Sequence, residues 1–290
     1  MANRDTILTP GVKMMLLATL SFSIVNVMVK YLSGVPPLEI VFFRGIFMLI
    51  FSIAILKHQK VPMWGNNKLI LFLRGFFGTI GVALFFISLT RMELATAIVI
   101  HYTAPIFTTI IALIFLKERV KNIQWIFLLL SFGGVLVVKG FGNVDTIDFL
   151  IGIASAFFSG FAYNAIRRLK NSENPNVVIL YFPLVTIPLM IIYYIIFPGD
   201  WKTPQGMDWL LLTGIGVFTQ VAQFFMTKAY QKEPANRIAG VSYSGLLAAI
   251  FFGYTIFSEV LSFWVFIGMA LVIVGVVLNL QASGKGRVRM

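Results

Sequence analysis

Apolar residues fill this chain in runs of about 20, the length a helix needs to cross a bilayer core of ~30 Å, with short polar breaks between them. The runs are Gly11–Tyr31, Pro37–Leu56, Leu69–Thr90, Leu94–Leu116, Ile123–Lys139, Phe149–Ile166, Val177–Phe197, Trp209–Tyr230, Asn236–Phe257 and Leu261–Leu280. Lipid offers the backbone no hydrogen bonds, so each run predicts a helix closed on its own polar groups. The predicted fold is therefore an all-α integral membrane protein of ten transmembrane helices. The connections are all shorter than ~15 residues, a length beyond which ordered loops become uncommon. That leaves no room for a soluble catalytic or receptor lobe.

Composition agrees: hydrophobic residues make up 59% and charged residues 12%, against ~25% charged in soluble domains. Cysteine is absent, so neither disulfides nor thiolate metal sites are available. Met1–Pro10 lacks the small-residue cleavage site of a signal peptide, and the first run is long enough to remain a true span. The net charge of +12 invites a nucleic-acid reading, but its distribution assigns it to topology. With the N-terminus in the cytoplasm, seventeen lysines and arginines fall on inner segments and four (Lys30, Arg91, Lys139, Lys202) on outer ones. Arg44 and Arg74 lie within spans. This positive-inside bias predicts cytoplasmic N- and C-termini and an even number of spans. The basic tail Lys285–Arg289 then suits anionic lipid, and no nucleic-acid partner is expected.

Sliding the chain by 141 residues places Tyr102 on Tyr243, Glu118 on Glu259, Leu130 on Leu271, Gly134 on Gly275 and Val135 on Val276. At a shift of 139, Phe85–Phe86 meets Phe224–Phe225. The order of these matches predicts a duplication, with five-helix repeats over 1–141 and 142–290 and a seam at Gly140–Asp148. Five spans per repeat is odd, so the second copy enters the membrane from the opposite side. Such inverted repeats are common in secondary transporters, which bind their cargo near midplane between the halves.

The Phe-Phe-Arg-Gly of the second run (Phe42–Gly45), the Leu-Arg-Gly opening the third (Leu73–Gly75), and the stretch from Ala95 through Pro105 to Leu116-Lys117-Glu118-Arg119 form an ordered set. Arg237–Glu259 and Gly268–Leu278 echo it in the second half. In these motifs the chain resembles the drug/metabolite transporter superfamily, specifically an EamA-type ten-helix carrier. Lys117 stands where that family usually has a glycine before the glutamate. The resemblance implies movement of a small organic metabolite across a bacterial inner membrane by alternating access, with export the expected direction. It names no substrate.

Polar side chains at lipid depth usually face a bundle interior or a watery cavity, and helical spacing shows which of them share a face. Thr19, Ser23, Asn26 and Lys30 form one stripe; Arg74, Gly78, Gly81, Phe85 and Ser88 a second; Gly216, Gln220, Gln223 and Thr227 a third. The fourth run adds His101, Tyr102, Pro105 and Thr108, and the ninth adds Tyr243 and Ser244. Together these predict a central aqueous pocket with aromatic walls, suited to a zwitterionic or amphipathic, amino-acid-like solute. The candidate substrate-binding set is Ser23, Asn26, Arg44, Phe77, Gly81, His101, Tyr102, Tyr163, Gln220, Gln223, Phe224, Tyr243 and Ser244. The competing reading is that the stripes are interhelical packing, where small and polar residues also gather.

Individual residues carry similar alternatives. His101, the one intramembrane histidine, suits either proton coupling or a plain hydrogen bond. Arg44, with Lys30, is placed either to hold a carboxylate of an organic anion or nucleoside-like metabolite, or to anchor helix-end carbonyls. Arg74, about one turn from its helix start, is expected to snorkel to the interface. Glu118 and Glu259 are expected to meet a helix N-terminus or a local cation. Gly152, Ala156 and Gly160 permit close helix approach in the sixth run, Pro105, Pro183 and Pro188 suit hinges, and Tyr163 with Asn164 suits an inner gate. No HExxH motif, metal-ligand set or pair of midplane carboxylates occurs, so neither enzymatic activity nor a cofactor is expected. No filter-like re-entrant segment favours a channel. A homodimer is compatible with these features.

Overall fold

The computed structural model describes residues 8–32, 34–115, 121–141, 144–233, 238, 241–242 and 244–284. Its helices are α1 (Pro10–Tyr31), α2 (Pro37–His58), α3 (Lys68–Arg91), α4 (Leu94–His101), α5 (Ala104–Phe115), α6 (Asn122–Phe141), α7 (Thr146–Arg168), α8 (Pro175–Ile196), α9 (Met207–Lys232), α10 (Ser244–Phe257) and α11 (Phe263–Gly284). The described residues contain no strand. Among the described residues, eight stretches are long and apolar enough to cross a membrane, α4 and α5 together making one of them, and α10 is a shorter apolar helix. Glu118 and Tyr243 lie outside the described residues.

Local chemistry sets the helix starts. Thr9 caps α1 by accepting from Val12 N, with Pro10 at the first helical position, and Asn174 caps α8 ahead of Pro175 in the same way. Proline is favoured there because its missing N–H would have no helical partner. Asp145 caps α7 by accepting from Ile147 N at 2.7 Å. The fourth predicted run breaks at Tyr102–Thr103. There Thr103 N donates to Ile100 O at 3.1 Å, a tighter turn than an α-helix makes. Pro105 supplies no N–H to the His101 carbonyl, which releases the helix at this depth.

The packing is inverted relative to a water-soluble protein. Leu20, Ile50, Phe72, Leu129, Ile195, Leu210 and Phe251 are exposed, whereas Ser52, Thr79, Ser88, Ser155, Thr186 and Thr219 are buried. Buried hydroxyls mostly return to their own helix: Thr79 donates to Gly75 O at 2.8 Å and also meets Thr186 Oγ1 at 2.6 Å across α3 and α8. Helices approach closely where side chains are missing. Gly75 rests on the Tyr181 carbonyl and Val185, Gly216 on Phe47, and Gly134 on Gly268 and Leu271. Small residues serve helix association in lipid in this way.

The interhelical contacts fall into matching pairs. α1 lies along α9 and α7 along α3; α3 touches α8 and α9 touches α2; α5 touches α7 and α10 touches α1. Exchanging α1, α2, α3, α4–α5 and α6 with α7, α8, α9, α10 and α11 turns each of these contacts into another on the same list. The α2–α8 and α6–α11 contacts map onto themselves.

Candidate functional site

A cavity of about 120 Å³ lies in the middle of the bundle, lined from α1, α2, α3, α4, α5, α7, α8 and α9 and by Ser242 before α10. Its most costly residues are two arginines. Arg44 of α2 and Arg74 of α3 both line it, and each is only 2% exposed. Their guanidinium groups share one aromatic ring: Phe182 of α8 lies 4.9 Å from Arg44 Cζ and 5.6 Å from Arg74 Cζ. Arg44 also lies 5.4 Å from the Phe86 ring. Arg74 Nη2 donates to Gln223 Oε1 of α9 at 2.9 Å. The Nε atoms of both arginines are buried and lack a hydrogen-bond partner.

Magnitudes show that this environment only partly offsets the two charges. Insertion scales charge ~2.5–3.5 kcal/mol for a cation at a helix centre. A cation–π contact returns ~0.5–1 kcal/mol, rising to ~2 or more when desolvated. Among the described residues, neither arginine forms an ion pair and no aspartate or glutamate lines the cavity. The expectation that Arg74 snorkels does not hold, because α8 and α9 pack over it and Gln223 holds its head inside the bundle. Lys30 also departs from its expected place beside Arg44. It lies one turn beyond Asn26 on α1, about 6 Å at 1.5 Å per residue, and pairs at 2.5 Å with Glu259.

Around the arginines, Ser23 donates to Thr19 O at 2.9 Å, and the Asn26 amide, also on the wall, makes no hydrogen bond to a described residue. His101 Nδ1 meets Ser155 Oγ at 2.8 Å, and its ring lies 4.2 Å from that of Phe85. Tyr102 OH donates to the Ser242 carbonyl at 2.7 Å, joining the break after α4 to the segment before α10. Tyr163 stacks on Tyr230 at 5.1 Å.

Of the residues selected from sequence, Ser23, Asn26, Arg44, His101, Tyr102, Tyr163 and Gln223 meet at this cavity. Others lie elsewhere. Phe77 stacks on Phe161 and Phe158, Gly81 packs against Ser159, and Gln220 accepts from Ser52. Phe224 packs beside Phe225 and under Lys228, and Ser244 opens α10 away from the lining. Sequence reasoning passed over Phe182, whose apolar character gives no signal. It placed Arg74 on a pocket-facing stripe but left it out of the binding set, because a helix end does not reveal what packs above it.

Each end of the cavity carries a cross-link. At the end where α1 finishes, Lys30 Nζ pairs with Glu259 and donates to Met92 O at 2.7 Å, and Glu259 accepts from Leu94 N at 3.0 Å. Three interhelix junctions are tied there. At the opposite end Arg167 Nη1 donates to Tyr230 O at 3.3 Å and to Glu233 O at 2.5 Å. Met92 caps α3 and Glu233 caps α9, so each cation binds the carbonyl at the same place on a matched helix.

This polar hollow within an apolar bundle fits a protein that handles solutes inside a membrane. A family model described as EamA-like transporter family matches residues 9–140 and again residues 146–281. The chain belongs to the EamA-like transporter family, and it is a multi-pass membrane protein. It is 29% identical over 288 residues to the pseudopaline exporter of Pseudomonas aeruginosa, covering 97% of this chain and 99% of that one. It is 30% identical over 281 residues to an uncharacterized transporter of Helicobacter pylori, covering 93% and 94% respectively. A solved crystal structure superposes with a TM-score of 0.70 at 19% identity, across 93% of this chain and 98% of that one, which is a likeness of fold.

Proposed function

We propose that this protein is a secondary carrier that exports a small organic metabolite across a bacterial inner membrane by alternating access. One observation carries the proposal: polar groups from both halves of the chain converge on a single cavity that is cross-linked at both ends. A packing role alone gives the free Asn26 amide and the two arginines no reason to face the same void. The cargo is a solute with a polar head and an apolar body, because Phe22, Phe85, Phe86 and Met226 share the wall with the polar groups.

The carrier is built of ten spans in two inverted repeats, 1–141 and 142–290, with both termini cytoplasmic. The paired helix contacts, the twofold family match and the positive-inside charge all support that arrangement. The relative named as a pseudopaline exporter supports export. His101 serves as a hydrogen-bonding group on the wall, since a serine hydroxyl and an aromatic ring are what hold it.

The test is flux in proteoliposomes. Purified protein is screened by thermal shift against amino acids, organic acids and nucleosides, since a ligand at 100 times its Kd stabilises the folded state by ~2.7 kcal/mol. Hits are then followed by counterflow. Saturable, trans-stimulated movement is expected; unsaturable flux or channel-scale currents would reject a carrier.

A further inference from the structure

We infer that the solute is a net-anionic carboxylate, seated with its carboxyl between Arg44 and Arg74 against Phe182 and its body toward Phe86 and Val82. This rests on the carrier reading and narrows it to a substrate class. Among the described residues, the cavity wall carries two fixed positive charges and no acid. Arg44 makes no hydrogen bond to a described residue, and Arg74 makes one, to the neutral Gln223. Both Nε donors remain unused in a buried site. Buried charges are retained when something pairs with them. Here the protein supplies aromatic rings at cation–π distance, which accept no conventional hydrogen bond. A carboxylate accepts in the plane of the guanidinium fork, often at two points. The apolar wall next to the arginines then receives the rest of the molecule.

A zwitterion brings its own cation into a site that already holds two, so the wall discriminates by charge as well as by shape. A diacid without an ammonium, such as succinate, neutralises the pair, and glutamate, with a single net negative charge, neutralises one of the two. A one-carboxylate zwitterion such as glutamine leaves both charges in excess once its ammonium is counted. Lys30 takes no part, because Glu259 already neutralises it at the end of the cavity.

The experiment compares four probes of similar size on the purified full chain: succinate, glutamate, glutamine and agmatine. The readouts are apparent melting temperature and counterflow. Succinate and glutamate are expected to raise the melting temperature by several degrees, and glutamine and agmatine to leave it unchanged. Arg44→Gln and Arg74→Gln should each abolish the anion-induced shift. In the absence of probe, Arg44→Gln should melt no lower than the parent, because an unpaired buried charge is removed and no hydrogen bond is lost, whereas Arg74→Gln also gives up the bond to Gln223.

An equal response to glutamine, no response to either acid, or an acid response that survives both substitutions overturns the inference. So does a marked loss of stability in probe-free Arg44→Gln, which marks that arginine as structural. Saturable counterflow of a neutral solute without any anion shift leaves the carrier standing and removes only the anion. No flux of any solute removes both.

Discussion

Replacing Lys30 with methionine cuts the cross-link where α1 ends, and the structure sets the size of the effect. The change removes a 2.5 Å ion pair to Glu259 and a 2.7 Å hydrogen bond to Met92 O. The Lys30 and Glu259 side chains are 17% and 8% exposed, so the pair is mostly but not fully desolvated. Breaking a fully buried pair from one side costs ~3–5 kcal/mol. Partial exposure, together with the Leu94 N–H and the α4 N-terminus that still face Glu259, reduces this to ~2 kcal/mol. That penalty falls on the state in which this end is shut. Since 1.4 kcal/mol is tenfold, the open population at this end rises by ~30-fold.

The chain has no cysteine, so Ser23→Cys on the cavity wall is a clean reporter. An impermeant maleimide added from the side where α1 ends should label Ser23→Cys/Lys30→Met ~30-fold faster than Ser23→Cys alone, following the same population shift. Adding Glu259→Gln removes the orphaned carboxylate and should restore part of the closed state. An unchanged labelling rate, or no difference between the Lys30→Met and Lys30→Met/Glu259→Gln backgrounds, refutes the idea that this cluster holds the end closed.

Three further outcomes follow from the packing and the wall. Gly134→Val brings a branched side chain onto the Gly268 carbonyl and Leu271 Cβ, the latter 2.9 Å from the new Cβ; overpacking of ~1–3 kcal/mol should lower the melting temperature, and an unchanged value would contradict the α6–α11 contact. Tyr102→Phe loses the 2.7 Å bond to Ser242 O, worth ~0.5–1.5 kcal/mol, and should slow counterflow more than it lowers the melting temperature; the reverse order would make Tyr102 a structural tie. His101→Gln keeps a partner for Ser155 and should leave flux and its pH profile close to the parent, whereas loss of a proton-driven component would make His101 a coupling group.

The long helices were legible because lipid imposes one length and one hydrogen-bonding solution on every span. The observed ends of α1, α2, α3 and α6 fall within about two residues of the hydropathy boundaries, the usual scatter of helix-end assignment. The break after α4 was less legible: Pro105 announces a weak point, but the turn forms at Tyr102–Thr103, where the tighter bonds are made. Periodicity brought Ser23, Asn26, His101 and Gln223 to one wall because each stripe faces the bundle interior. It misplaced Gly81 and Gln220, because their stripes are wide enough to serve both a cavity and a neighbouring helix; Ser159 and Ser52 occupy those flanks. Arg74 and Lys30 exchanged their expected places because a charged residue near a helix end is governed by what covers it. α8 and α9 cover Arg74, and Glu259 reaches Lys30 from 229 positions further along the chain. Such long-range partners leave no local mark in the sequence.

Labelling of a single cysteine at Asn26→Cys, measured separately from each face of sealed vesicles, tests alternating access most directly. In a carrier the site can be reached from either face, and a transported solute raises one rate while lowering the other. Equal rates from both faces that do not respond to solute would describe a continuous pore. No labelling from either face would describe a closed packing core, and each result contradicts a carrier.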